Sequence, residues 1–258
     1  MSDDSAASQV NATGAASAGR RPVVKRLALA LGAAALVLVM LLGIKLAPLF
    51  LEPDRYADVV SIERGADFRD PALMAQASAM PVAARYPLSR YEFQHNQSFC
   101  GPTSAADVMH SLGDRRTQDE VITATPYHTV FGYLPGGLTL DEEADMLRRA
   151  SGRPVDVRRG LTLDQFRAEM RAVNDPDRRY VVNFHRGPLF GRGHGHFSPL
   201  LAYLPQRDLV LVGDVNANYR PFLVATQRLW AAADTLDDAT GRKRGLLILL
   251  ASDGASHR

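Results

Sequence analysis

The chain has 258 residues, 46% of them hydrophobic and 22% charged, with one cysteine and a formal net charge of +2. A single cysteine excludes an intrachain disulfide, a four-thiolate zinc site and a Cys-x-x-Cys redox pair, while the length suffices for one globular domain with an anchor. Residues 1–45 carry five Lys/Arg against two acidic residues, and residues 46–258 carry 25 against 26, so the basic excess is N-terminal and no nucleic-acid partner is expected.

Residues 1–26 begin with Ser, Ala, Gly, Asp and Asn, too little apolar surface to offset the entropy of ordering, and are expected to be a disordered cytoplasmic tail. From Leu27 to Ile44 there are 18 residues without a charge, and apolar character resumes after Lys45 as far as Leu51. This predicts a transmembrane anchor over 27–51. Arg20, Arg21, Lys25 and Arg26 precede it and few basic residues follow, which by the positive-inside rule predicts a single-pass inner-membrane protein with a cytoplasmic N-terminus and a periplasmic catalytic domain. Residues 52–84, punctuated by prolines and a glycine and weakly periodic, are expected to be a stalk, residues 85–252 the folded domain and 253–258 a tail.

Within the domain, Pro102 and the apolar spacing of Ala105, Ala106, Val108, Met109 and Leu112 predict a helix that starts near Cys100 and stops at Gly113. Thr139 with Glu142, and Thr162 with Gln165, have the spacing of capping boxes, and Gly152 closes the first of these two helices. Residues 180–184, 197–204 and 208–213 read as strands, the last two joined by a hairpin turn at 205–207. A helix is predicted over 226–238 and a buried final strand over 245–251. Helices first and an antiparallel sheet afterwards is an α+β pattern.

Cys100, at a loop-to-helix junction, is either a buried filler or a nucleophile whose thiolate the helix dipole favours. A thiolate nucleophile needs a base and a group to orient it. His196, in Gly193-His194-Gly195-His196-Phe197-Ser198-Pro199, opens a strand, and the hairpin brings Asp214, 18 residues later, beside it. Gln94, six residues before Cys100, supplies an amide for an oxyanion together with the Cys100 N–H. The alternative for the same residues is a zinc site of His194, His196 and Asp214. His185-Arg186, at a strand end, is either an anion contact or a structural ion pair.

These runs, together with Gln97-Ser98-Phe99-Cys100-Gly101, Phe184-His185-Arg186, Asp214-Val215, Leu229-Trp230 and Thr240-Gly241-Arg242-Lys243-Arg244-Gly245, resemble phytochelatin synthases, in particular their short bacterial forms. The resemblance covers about residues 85–250. It implies a papain-like cysteine protease fold with Cys100 as nucleophile, His196 as general base and acid, Asp214 as orienting carboxylate and Gln94 in the oxyanion hole. It further implies substrate contacts from Gly101, Arg186, Gly195, Phe197, Tyr219 and Arg220, and glutathione as the substrate, cleaved between cysteine and glycine to leave a γ-glutamylcysteinyl enzyme that passes to water or to a second glutathione.

No tightly bound cofactor is expected; Cd2+ or Zn2+ would enter as a metal–glutathione thiolate, since the chain lacks the cysteine-rich C-terminal region of the plant enzymes. Ala217 stands where the family has a basic residue, so cleavage is expected to outweigh chain extension. The competing readings are a bacteriocin-processing type of cysteine peptidase and a non-catalytic, membrane-tethered metal- or thiol-binding module.

Overall fold

Period-two alternation of apolar side chains organises the domain around one sheet with a hydrophobic layer on each face. The structure is a computed structural model that describes residues 20–51, 55–86 and 91–251 and divides the chain into two units, Met1–Arg55 and Tyr56–Arg258. Of the expected tails, residues 1–19 and 253–258 lie outside the described residues.

The first unit contains helix α1 (Arg20–Leu51), longer at its start than the anchor expected over 27–51. Its Val24–Ile44 stretch has 21 residues with a mean hydropathy of 2.8, long and apolar enough to cross a bilayer.

The second unit holds six antiparallel strands, β1 (Val155–Arg159), β2 (Arg178–His185), β3 (Gly195–Leu204), β4 (Leu209–Val212), β5 (Phe222–Ala225) and β6 (Gly245–Leu250), in the order β1-β6-β2-β3-β4-β5. Helices are α2 (Pro71–Ser78), α3 (Cys100–Ser111), α4 (Gln118–Thr123), α5 (Leu140–Ser151), α6 (Leu163–Arg171), the single turn α7 (Gly187–Phe190) and α8 (Thr226–Ala233). The α+β expectation is met. β1 and β5 were not read from sequence: both are short, and β1, VDVRR, is charged on its exposed positions. The helix expected over 226–238 stops at Ala233, where Asp234 caps it and the chain turns back through a bridge between Leu236 and Lys243.

Odd-numbered residues Val181, Leu209, Leu211, Leu223, Leu247 and Leu249 face the layer shared with α3, α4 and α5. Even-numbered Val182, Phe184, Val210, Val212, Leu246 and Ile248 face the layer of α6 and α8. β3 changes parity at a register shift between Leu200 and Ala202, so that Leu201 and Ala202 both face the first layer and Tyr203 returns to the second. Full burial of each such side chain contributes about 1.5–3 kcal/mol.

Residues 52–84, expected to be a stalk, are from Tyr56 onward part of the folded unit. Phe68 stacks on Phe222 at 5.4 Å, its carbonyl accepts from Leu223 N–H at 2.9 Å, and Ala77 and Val82 are fully buried. The segment has short helical turns whose few apolar residues are invisible to periodicity but fill gaps beside the sheet. α2 starts on an Asp70 cap that accepts from Leu73 N–H at 2.9 Å.

Candidate active site

The loop into α3 is tied down before the cysteine is reached. Asn96 Oδ1 accepts from Ser98 N–H (3.0 Å) and Ser98 Oγ (2.7 Å), and Asn96 Nδ2 donates to Gly132 O at 3.0 Å. Ser98 Oγ also accepts from Leu134 N–H at 2.9 Å. Cys100 is then the first residue of α3, buried at 8% exposure, and Pro102 sits in the first turn, where its missing N–H costs no helix bond.

β3 delivers its first residues to this helix end. The N–H groups of Phe197 and Gly101 and the charge of Arg186 favour a thiolate at Cys100, but burial outweighs them and, with the nearby Glu143, pushes the thiol up to about 11. The helix start alone therefore does not ionise the cysteine in the resting site.

His196, next to Phe197 in the strand, is 4% exposed and meets the Phe184 ring edge-on at 5.6 Å. Its Nε2 lies 3.1 Å from Asp214 Oδ1, the pairing expected from the hairpin. Burial first, then the Arg186 charge, pulls the imidazole below its ordinary value against the opposing pull of Asp214. Asp214 is fully buried; although burial opposes ionisation, His196 and Arg186 together hold its carboxyl below the usual range. Asn216 N–H donates to the same Oδ1 at 2.8 Å.

Arg186 forms a buried ion pair, one of the two roles expected of it. Its Nη2 donates to Asp214 Oδ1 at 2.9 Å and lies 2.8 Å from Oδ2, and its guanidinium stacks on the Tyr219 ring at 3.7 Å. Tyr219 is thereby engaged as well. Arg220 is exposed on the same loop, with a left-handed backbone (φ 51°) and Nε donating to Ala217 O at 3.3 Å.

The two glycines expected to touch substrate have packing reasons for being glycine. A Cβ on Gly101 would come within 2.5 Å of Glu143 Oε2 and 3.0 Å of Leu138 Cδ1. A Cβ on Gly195 would collide with the guanidinium of Arg244, which is buried and donates to Asn183 Oδ1 (3.1 Å) and Asp237 Oδ2 (3.0 Å). Phe197 is 2% exposed within the core.

Gln94 reaches the site through its backbone, donating N–H to Val215 O at 2.8 Å beside Asp214. Its side-chain Nε2 donates to Asn96 O at 2.9 Å, on the loop leading to Cys100, and its Oε1 is buried without a hydrogen-bond partner. His185 Nδ1 accepts from Gly187 N–H at 3.0 Å. His194 lies outside β3 and is exposed, so it does not share a strand face with His196. Among the described residues, no three His, Cys, Asp or Glu side chains are grouped to hold a metal ion.

One residue of this neighbourhood escaped sequence reading. Glu143 of α5 is fully buried and neither of its oxygens has a hydrogen-bond partner. The signal was present: Leu140, Glu143, Ala144 and Leu147 form the i, i+3, i+4, i+7 stripe that α5 buries, and an acid stands in it.

Residues 69–246 match the family model for phytochelatin synthase. Among curated proteins, glutathione gamma-glutamylcysteinyltransferase 3 of Lotus japonicus is 38% identical over 177 residues, covering 63% of this chain and 36% of that protein. Glutathione gamma-glutamylcysteinyltransferase 1 of Triticum aestivum is 30% identical over 176 residues, with 63% and 35% covered, and the enzyme numbered 2 of Arabidopsis thaliana is 30% identical, with 63% and 38% covered. The chain thus spans little more than a third of the length of these relatives. Among solved structures, the peptidase domain of Streptococcus ComA, a bifunctional ABC transporter, aligns at a TM-score of 0.41 and 17% identity, covering 62% of this chain and 96% of that domain. With the family model matching well over half its length, the chain belongs to the phytochelatin synthase family.

Proposed function

We propose that the protein is a thiol acyltransferase acting on glutathione. Cys100 is the nucleophile, His196 the base that takes its proton, and Asp214 the carboxylate that orients the imidazole and stabilises its protonated form. The observation that carries this reading is the buried His196–Asp214 pair, on a strand whose next N–H, that of Phe197, favours a thiolate at Cys100.

The shifts support a resting site in which both partners are neutral, since burial raises the thiol and lowers the imidazole. Substrate engagement then moves the proton from Sγ to the His196 ring as the sulfur attacks the carbonyl joining cysteine to glycine. The imidazolium returns that proton to the departing glycine amine, leaving a γ-glutamylcysteinyl thioester on Cys100. Water resolves the thioester to γ-glutamylcysteine, whereas the α-amine of a second glutathione extends the chain by one unit. Developing charge on the carbonyl oxygen is met by the Cys100 N–H and by the Gln94 amide once it turns from Asn96. Cd2+ or Zn2+ enters as glutathione thiolate, part of the substrate. Arg220, exposed beside the site loop, is the cation available to a substrate carboxylate. α1 holds the enzyme at the membrane, its N-terminal arginines on the cytoplasmic side and the catalytic unit outside.

The test is glycine release from glutathione by the full-length protein in detergent, with and without a cadmium salt, against Cys100→Ala. Release that depends on Cys100 is expected; release no higher than the Cys100→Ala control overturns the assignment. A reporter fused after Arg258 that is active only outside the cytoplasm is the expected result for the topology, and activity inside reverses it.

A further inference from the structure

Glu143 of α5 reaches the start of α3 beside Gly101, the residue that follows Cys100. A Cβ on Gly101 would lie 2.5 Å from its Oε2, so the carboxyl occupies the space against the backbone of the residue that follows the cysteine. It has 0% exposure, both oxygens lack partners, and its charge acts on the Cys100 thiol. A buried carboxylate without a donor or a counter-charge is costly, and the neutral acid is the form that fits. Burial pushes the Glu143 carboxyl up to about 8.

The geometry points to Glu143 as a positioning acid for Cys100: neutral, it fills the space over Gly101 at the head of α3, and ionised, it sets an uncompensated negative charge beside the sulfur and suppresses the thiolate. The alkaline behaviour of the nucleophile is then governed by a carboxyl as well as by His196 and Asp214.

Other charged groups on the elements around α5 are turned to partners of their own. On α3, Asp107 accepts from Glu92 N–H at 2.9 Å and lies 3.8 Å from His110; on α4, Glu120 closes its capping box and Asp119 lies 3.8 Å from His95. On β1, Arg158 pairs with Asp156 and Arg159 with Asp141, while β6 carries no titratable side chain. On α5 itself, Glu142 caps the helix, Asp145 pairs with Arg149, and Arg148 donates to Val155 O. Across the site, Arg186 opposes Glu143 at Cys100, but it is committed to Asp214.

The inference requires a reactive Cys100 and is independent of whether glutathione is the substrate. Its test is the rate of Cys100 alkylation by iodoacetamide in the full-length protein from pH 6 to 10. Compared with wild type, Glu143→Gln is expected to react at a similar rate near pH 6.5, where Glu143 is neutral, and about three- to tenfold faster above pH 9, a thiol pKa lower by roughly half to one unit. Glu143→Leu, an apolar replacement for a site without hydrogen-bond partners, is expected to follow the same curve and guards against misfolding of the amide variant. A rate ratio that stays constant across the pH range in both variants, whatever its value, overturns the proposal, because a purely structural role does not titrate. Activity on glutathione then reports separately on the proposed function.

Discussion

Two fully buried carboxyls flank the Cys100 neighbourhood, and they behave in opposite ways. Asp214 has His196 Nε2 at 3.1 Å, Arg186 Nη2 at 2.8–2.9 Å and the Asn216 N–H at 2.8 Å, and is held below the ordinary carboxylate range. Glu143 has no hydrogen-bond partner and is pushed up to about 8 by burial. Equal burial therefore says nothing about charge; the donors within reach decide it. One carboxyl is built to remain charged and orient a base, the other to remain neutral until the pH rises.

The largest expected effect comes from removing the charged side of this contrast. Asp214→Asn keeps the shape of the side chain but removes the negative charge that stabilises protonated His196, and turnover measured on folded protein should fall by roughly 10⁴-fold. Because the change also leaves Arg186 buried and uncompensated, unfolding should come earlier as well, by about 3 kcal/mol. An Asp214→Asn protein with near-wild-type turnover removes the catalytic role of the Asp214 charge.

Next in size is the pH linkage of Glu143. Its pKa rises from 4.5 in the unfolded chain to about 8 in the fold, so the native state loses stability as pH climbs between those values and loses no more above the second. Glu143→Gln should therefore gain stability over wild type between pH 5 and pH 9 by on the order of 4 kcal/mol. Denaturant unfolding at the two pH values measures this, and a variant-to-wild-type difference that does not change with pH removes the contrast.

Arg186→Met breaks the buried ion pair from its other end and should cost about 3 kcal/mol in chemical denaturation. Arg186 is one of the influences that depress His196, so the imidazole should titrate at higher pH in this variant by NMR. An unchanged His196 titration contradicts that reading. The smallest effect is expected at the start of α5, where Thr139 accepts from Glu142 N–H at 3.3 Å and Glu142 reaches back to Thr139 N–H at 2.7 Å. Thr139→Ala should lower stability by about 1 kcal/mol and leave the pH dependence of Cys100 reactivity in place, since Glu143 remains.

Much of this site is legible in the sequence. Helix starts at Thr139 and Thr162 announce themselves because a capping box is a pattern of four residues, and the His196–Asp214 pairing follows from one hairpin, a short loop with a calculable register. Arg186 was harder: a basic residue at a strand end carries no mark of its partner, and the choice between substrate and structural roles rests on Asp214, 28 residues away. Residues 56–84 read as linker because their apolar residues are sparse and irregular, and the surface that receives Phe68 is made by β5 and α7, elements far along the chain.

The sequence by itself determined the elements whose rules are local: the capped helices, the alternating strands, the apolar N-terminal helix, and a cysteine at the first turn of a helix with a histidine at the start of a strand. Only the tertiary structure decided the charge of what surrounds that cysteine. Glu142 and Glu143 are neighbours in the same helix, yet the first is satisfied by its own helix start and the second faces the backbone of Gly101 with nothing to accept from. Ionisation inside a protein depends on every donor and every excluded water within a few ångströms, and those are brought together by segments that the local pattern does not link.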